Sequence, residues 1–252
     1  MSLDLLDWTI IGPAFVAGLI VLSTHVPLGH EVLRRGIIFI DLAIAQIAGL
    51  GVIAAHSMNW DQDGIEVQIA AVSAALIAAL GLNWTEKRWP QKQEPLIGIL
   101  FILAATGGIL LLAGNPHGSE HLKELLVGQI LWSTWSSLLP VAALYVGLLI
   151  LWFTLRERAG PLAFYVIFAF AVTASVQIVG IYLVFASLII PALATQHLRS
   201  SRRLSIGYAI GALSYFIGIA LSAILDFPTG AIIVWSMALV ALLAGFLIPG
   251  KD

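Results

Sequence analysis

One acidic residue stands inside an otherwise apolar stretch of the chain. Asp41 lies in the apolar run 36–56. A carboxylate inside a membrane span costs a few kcal/mol on insertion scales, so a functional role is the default interpretation. His25 should lie at a similar depth if the chain turns at 29–35, and a His–Asp pair could bind a divalent cation or relay a proton. The alternatives are that Asp41 reaches back to Arg34, or that it is protonated and hydrogen-bonded.

A second group of potential ligands follows residue 114. The segment His117-Gly-Ser-Glu120-His121 matches the string H-x-x-E-H. That string serves a metalloprotease only on a helix, where both imidazoles face one metal ion. Asn115-Pro116 is typical of a turn, so a loop is predicted and the protease interpretation is weak. His117, Glu120 and His121 are instead expected to collect metal ions at an outer mouth, with an ordinary solvated loop as the alternative.

The composition shows which kind of element must position these residues. Of 252 residues, 60% are hydrophobic and 10% are charged, and the mean hydropathy is +1.00. Soluble domains are typically about 45–50% apolar and about 25% charged. We therefore predict an all-α, polytopic transmembrane bundle, forming a single membrane domain over residues 1–252. Because the chain has no Cys, disulfides and thiolate metal sites are excluded.

Eight or nine membrane spans are predicted from runs of about 20 apolar residues. The sixth and seventh runs are separated only by residues 177–180, so they are either two short helices or one broken helix. Pro191 is expected to break or kink the seventh run. Residues 122–134 form a short amphipathic stretch that lies along the interface or enters the bundle partway. The nine runs are 9–29, 36–56, 65–84, 95–114, 136–155, 161–178, 180–198, 205–225 and 229–248.

The basic residues predict the orientation. Nine spans with the N-terminus outside and the C-terminus inside place eleven of the twelve Lys and Arg residues in cytoplasmic segments, with Lys123 as the exception. Several Trp residues fall near the predicted interfaces, as in aromatic belts. We expect a multi-pass protein of a bacterial-type cytoplasmic membrane, surrounded by lipid, with no nucleic-acid partner. His56, near the outer end of the second run, would suit the outer mouth or be an interfacial side chain.

Several blocks resemble the permease family of zinc-, manganese- and iron-type metal-ion ABC importers. They occur in the family's order and cover most of the chain. The resemblance implies a fold like that of type II ABC importer permeases. The blocks are Pro27-Leu28-Gly29 before Arg34-Arg35, Ala48-Gly49-Leu50-Gly51, Glu94-Pro95-Leu96-Ile97-Gly98-Ile99, Leu125-Leu126-Val127-Gly128-Gln129-Ile130-Leu131, and Val179–Val184 running into Ser187–Thr195.

The sequence departs from the family at two places. Family members carry an Asp and, four residues later, a His in the second helix, where the metal is handled. The matching positions here are Leu42 and Gln46, with Asp41 one place earlier. Gln46 is thereby implied to mark the pathway, although an interhelical hydrogen bond is an equal alternative. The family's long inner loop with its ATPase-docking helix is also reduced, to residues 156–160.

The resemblance implies the membrane subunit of a divalent metal importer that works by alternating access. The ion is the transported substrate, and no permanently bound cofactor is expected. The implied partners are a second copy of the chain, a cytoplasmic ABC ATPase and an extracytoplasmic metal-binding protein. The sequence contains no Walker A string, so ATP would be hydrolysed by a separate subunit and the chain is not itself an enzyme. The alternative is a transport-derived protein without an ATPase, acting as a facilitator, sensor or scaffold.

Overall fold

The computed structural model describes residues 8–58, 60, 64–113, 115, 118–155 and 160–247. Within these ranges the chain is helical and contains no strand, which confirms the predicted all-α membrane fold. Two short 3₁₀ turns, Pro90–Lys92 and Ile130–Trp132, accompany the α-helices. The helices are α1 (Trp8–Arg35), α2 (Ile40–Ser57), α3 (Ile65–Arg88), α4 (Gln93–Leu112), α5 (Gly118–Val127), α6 (Trp135–Leu155), α7 (Gly160–Val179), α8 (Ile181–Thr195), α9 (Ser200–Leu225) and α10 (Thr229–Leu247).

Eight of these helices are long and apolar enough to cross a membrane, and α8 is a shorter apolar helix of 15 residues. Its first end lies beside Gly128, and Thr195 Oγ1 at its last turn lies 3.4 Å from Nε2 of His30, near the end of α1. At about 1.5 Å per residue, α8 is roughly 22 Å long. We therefore predict that α8 is a short ninth passage beside the eight long helices.

The helices divide into a buried centre and an outer layer. Helices α1, α2, α7 and α8 carry most of the buried residues, and α8 packs against α1, α9 and α10. Within the apolar segment of each helix, 56% of the residues in α2 and 61% of those in α7 are buried, against 17% in α4. The large apolar side chains exposed on α4, α6 and α10 are the expected surface towards lipid.

The break between α7 and α8 lies at Gly180, not at Pro191. Gly180 has φ 78° and ψ 163°, a conformation that other residues rarely adopt. A Cβ atom there would also collide with the backbone of Val127 and Gly128. Helix α8 is continuous through Pro191, so of the predicted break or kink at that residue the break is not observed, and the kink stays a prediction. A proline removes one helical hydrogen bond, and neighbouring helices in a bundle can accommodate that loss.

The amphipathic stretch enters the bundle. Helix α5 packs against α4, α7 and α8, and the turn that follows it packs against α1, where Ile130 is buried. The helix begins at Gly118, so the loop predicted through His121 is wrong. Glu120 lies in the first turn, where the free N–H groups of a helix favour a carboxylate.

Candidate functional site

An open cavity of about 1180 Å³ lies at one end of the bundle, which we call the α5 cavity. It lies where α2, α4 and α7 end and where α3 and α6 begin, and α5 forms part of its wall. The opposite end, which we call the arginine end, carries Arg34 and Arg35 of α1 and Arg88 of α3. The polar side chains that line the α5 cavity include those of His56, Gln68, His121, Glu124, Gln129 and Gln177.

Two imidazoles from different helices meet at this cavity. The ring centroids of His56 in α2 and His121 in α5 are 5.8 Å apart, with the rings at 89° to each other. Nδ1 of His121 lies 3.8 Å from Oε2 of Glu124, one turn further along α5. Two nitrogen ligands and a carboxylate are thus neighbours on the cavity wall.

The predicted outer-mouth residues are only partly brought together. His121 lines the α5 cavity, whereas Glu120 is exposed on α5 and is not part of its lining. His117 lies outside the described residues. Among the residues that the structure does describe, no three His, Asp or Glu side chains already surround a common metal position.

A hydrogen bond joins α3 to α7 across the cavity wall. Nε2 of Gln68 donates to Oε1 of Gln177 at 2.5 Å, and both residues line the α5 cavity. Exposed amide pairs of this kind are exchangeable with water at modest cost. The contact therefore holds two cavity-forming helices together without making the wall rigid.

Asp41 lies near the arginine end rather than deep in a span. Gly36, with φ 69°, ends the turn after α1, and α2 begins only at Ile40. Asp41 therefore occupies the first helical turn, where free N–H groups favour a negative charge. It is fully buried, and neither carboxylate oxygen has a hydrogen-bond partner. The predicted alternatives of a contact with Arg34 or a hydrogen-bonded carboxyl are thus not observed.

Helix α4 supplies a second carboxylate to the same helix start. Oε1 of Glu94 accepts a hydrogen bond of 3.3 Å from the backbone N–H of Phe39, the residue before α2. A carboxylate that accepts such an N–H bond acts as a helix cap. Sequence reasoning singled out the block that begins at Glu94 but gave this side chain no role.

His25 belongs to a buried polar chain and makes no hydrogen bond or ion pair with Asp41. Its Nδ1 lies 2.9 Å from the carbonyl oxygen of Val21, and its Nε2 lies 3.3 Å from Oγ of Ser175. The Ser175 hydroxyl is in turn hydrogen-bonded to the hydroxyl of Tyr145. Both ring nitrogens are therefore occupied. The predicted His25–Asp41 pair is not formed by direct contact.

Gln46 is buried in α2 but cannot act with Asp41 on one helix face. Residues five apart on an α-helix are rotated by about 140° from each other, whereas residues four apart are neighbours. Gln46 is 9% exposed and lies between Asp41 and His56 along the helix. Helix α2 therefore has polar side chains at three different heights along its axis, those of Asp41, Gln46 and His56.

The arginine end contains a network of four charged residues. Arg34 and Arg35 both bind Glu31, and Arg35 also reaches Glu86 of α3 at 3.1 Å. The Arg35 guanidinium lies over the ring of Phe164, 4.5 Å from its centroid. The network joins α1, α3 and α7 beside a cavity of about 350 Å³ that also contacts Trp152.

Sequence reasoning missed most of the cavity lining. Glu124 could have been found from its spacing, because residues three apart on a helix are neighbours and His121 precedes it by three. Gln68 and Gln177 are polar residues at the ends of apolar runs, and nothing in the sequence pairs α3 with α7. Ser175 and Tyr145 lie within apolar runs, where lone hydroxyls carry no distinctive pattern.

The sequence is similar to a known transport family and to individual members of metal transport systems. A family model described as the ABC 3 transport family matches residues 7–159 and 154–248. The manganese transport system membrane protein MntC of Halalkalibacterium halodurans is 28% identical over 268 aligned positions, which cover 98% of this chain and 90% of that protein. The chelated iron transport system membrane protein YfeC of Yersinia pestis is 28% identical over 208 positions, covering 74% of this chain and 70% of YfeC.

A solved structure is similar in fold. It is described as PsaBC from Streptococcus pneumoniae in complex with Fab, and one of its chains superposes with a TM-score of 0.76 at 20% sequence identity. The superposition covers 96% of this chain and 91% of that chain. The arrangement of helices described above therefore also occurs in a solved structure.

Proposed function

Because this chain belongs to the ABC 3 transport family, a family of metal-ion ABC transporter permeases, we propose that it is the membrane-spanning subunit of a divalent metal importer. The ion is the transported substrate and moves by alternating access. The observation that carries this proposal is the α5 cavity, an open chamber with imidazole, carboxylate and amide ligands at one end of the helical bundle.

The proposed cargo is an ion of the manganese and iron class, with zinc as the alternative. The relatives cited above are named for manganese and chelated iron transport. Most of the polar groups inside the bundle, including Asp41, Gln46 and several hydroxyls, offer oxygen ligands, and His25 adds one imidazole. Oxygen donors favour manganese over softer ions, and the chain offers no thiolate.

The proposed route follows α2 from the α5 cavity to the arginine end. His56 and Asp41 are fifteen residues apart in α2, which corresponds to about 22 Å along the helix. Gln46 lies between them. We place metal collection at the cavity and release at the level of Asp41 and His25, and we keep the proposal that His117 and Glu120 help to collect the ion.

The proposed energy source is a separate cytoplasmic ATPase, and the proposed assembly contains two copies of this chain and an extracytoplasmic metal-binding protein. At the arginine end Arg34, whose side chain is 68% exposed, is the member of the charged network that an ATPase could contact, because Glu31 and Arg35 are largely buried. Only residues 156–159 separate α6 from α7, so this connection is too short for a docking helix. That observation favours the second candidate, a relative without an ATPase.

Reconstitution separates the two candidates. The chain would be placed in liposomes with a candidate ATPase and a candidate metal-binding protein from the same organism, and uptake of radioactive manganese would be followed. We expect uptake that requires ATP and stops when the ATPase carries a disabled Walker A lysine. ATP-independent uptake, together with an ATPase rate unchanged by this chain, would favour the uncoupled candidate and overturn the importer.

A further inference from the structure

We infer that His56, His121 and Glu124 form a divalent metal site on the wall of the α5 cavity. The inference deepens the proposed function and rests on it in treating the bound ion as cargo. The set differs from the ligands expected from sequence, because it replaces His117 and Glu120 with side chains from α2 and from the next turn of α5. Binding at this site can be measured without transport.

The distance between the two imidazole rings is close to that of a metal-bound pair. Two imidazoles on one tetrahedral ion have ring centroids about 5 Å apart, since each nitrogen lies about 2.1 Å from the metal. The centroids of His56 and His121 are 5.8 Å apart. The observed separation therefore exceeds that of a metal-bound pair by less than an ångström.

The carboxylate is equally close to a bound geometry. Two donors on one tetrahedral ion lie about 3.4 Å apart, and Nδ1 of His121 is 3.8 Å from Oε2 of Glu124. The two side chains are 29% and 46% exposed, so both have room to turn towards an ion in the cavity. In the described part of the chain no three such side chains are arranged around one point, so ion binding at this site requires the side chains to move towards the ion.

The position of the three residues on the cavity wall favours a metal site over an ordinary packing contact between two helices. An edge-to-face ring contact would by itself stabilise the contact between α2 and α5 by only about 1 kcal/mol. Here both rings line an open cavity, and a carboxylate flanks one of them. Two nitrogens and one oxygen suit first-row divalent ions such as manganese, iron(II) and zinc, and water from the cavity can complete the coordination.

The site lies at the entrance and not at the interior level of α2. Its distance of about 22 Å from Asp41 along the helix excludes a shared ion. Ligands from two helices also connect ion binding to the position of α5. An ion held by His56 and His121 would fix α5 against α2 at the mouth of the cavity.

Cobalt binding to the purified full chain tests the site. Co²⁺ would be titrated into detergent-solubilised protein and followed by its visible d–d absorption. We expect His56→Asn and His121→Asn each to weaken Co²⁺ binding by at least about tenfold, since even residues that only support metal ligands contribute 10–100-fold. His197→Asn is the matched control, because it removes an exposed imidazole near the arginine end and should leave binding unchanged.

A second variant reports coordination directly. In His56→Cys the metal ligand becomes a thiolate, and the bound Co²⁺ should gain a sulfur-to-metal charge-transfer band. The chain has no other Cys, so the band can arise only at this position. Wild-type Co²⁺ binding in a folded His56→Asn protein, or no such band in folded His56→Cys, would overturn the site.

The binding experiment and the uptake experiment distinguish a failure of the proposed site from a failure of the proposed function. If ATP-driven uptake is observed and the affinity for Co²⁺ is unchanged in His56→Asn, the inference is wrong and the proposed function stands. If Co²⁺ binding depends on His56 and His121 but no ATP-driven uptake occurs, the site stands and the importer is wrong.

Discussion

Asp41 places a carboxylate at the start of α2, where the first-turn N–H groups and the Glu94 cap surround it. Its two oxygens are buried and have no hydrogen-bond partner. A buried carboxyl group without hydrogen-bond partners costs stability, most of all in its charged form. A passing cation would supply the missing partner for these two oxygens.

Asp41→Asn should separate transport from folding. The amide has nearly the same shape but no charge, so we expect manganese uptake in the reconstituted system to fall to background. The melting temperature of the purified protein should stay unchanged or rise, because the unpartnered charge is gone. Both quantities would be measured on the same preparation.

Asp226→Asn is the matched control for this change. Asp226 is exposed after α9 with φ 56°, a conformation that Asn also tolerates. Uptake and melting temperature should both remain at wild-type values. Wild-type uptake by Asp41→Asn would remove Asp41 from the transport route.

His25 shows what sequence can and cannot predict at this scale. Spacing from the turn at 29–35 predicts depth, but it does not predict the rotation of α1 about its own axis. That rotation directs the imidazole towards Ser175 of α7. Sequence placed His121 at the predicted outer mouth and allowed His56 there too, but no local pattern shows that their two rings meet.

At the scale of helices, apolar runs predicted the positions of all the long spans. Helix ends were predicted less well, because an apolar residue does not distinguish a helical turn from a tight connection. Residues 36–39 were assigned to the second span, yet Gly36 is left-handed and Ile37 is buried within the turn before α2. In membrane proteins a connection can also be apolar when the surrounding helices bury it.

Three glycines join α5 to the break between α7 and α8. Gly128 and Gly180 have positive φ angles and face each other, and Gly230 of α10 contacts the carbonyl oxygen of Val127. The close backbone contact fixes the end of α5 against the start of α8. Movement of α5 at the cavity is thereby connected to the helix break.

Gly180→Ala should disrupt this junction. The backbone conformation at Gly180 costs a non-glycine residue about 1–3 kcal/mol, and the collision with Val127 and Gly128 adds to that cost. We expect a clear fall in melting temperature and in the yield of monodisperse protein. Differential scanning fluorimetry and size-exclusion chromatography in detergent would measure both.

Gly98→Ala provides the control within the same fold. Gly98 lies in α4 and nothing lies within 4 Å of an added Cβ atom. Alanine has the higher helix propensity, by about 1 kcal/mol in water. Its melting temperature should be equal to or above that of the wild type. Equal stability of Gly180→Ala would show that the junction is not tightly packed.

At the scale of the whole molecule, charge and helix count together fix a direction. The nine predicted passes place the described ends, Trp8 and Leu247, at opposite ends of the bundle. The basic residues of α1 and α3 cluster at the arginine end, while α5 and the α5 cavity occupy the other. Because basic segments remain in the cytoplasm, the α5 cavity should face outside.

Cysteine labelling of a chain that has no Cys tests this direction without background. Lys123→Cys in α5 and Lys92→Cys beside α4 replace exposed lysines at opposite ends of the bundle. In intact cells, a membrane-impermeant maleimide should label Lys123→Cys and should reach Lys92→Cys only after permeabilisation. The reverse pattern would invert the proposed orientation and place the His56–His121 site on the cytoplasmic side.

Arg202→Cys extends the same experiment to the short helix. Arg202 is exposed in the first turn of α9, after α8. If α8 passes between the two ends, Arg202→Cys should be protected in intact cells, as Lys92→Cys is. If Arg202→Cys is labelled in intact cells, as Lys123→Cys is, then α7 and α8 return to the same side of the membrane and only eight crossings remain. The length of α8 is about 22 Å, and its two ends lie against other parts of the bundle, at Gly128 and at His30. Protection of Arg202→Cys would therefore identify the 15-residue α8 as a complete crossing.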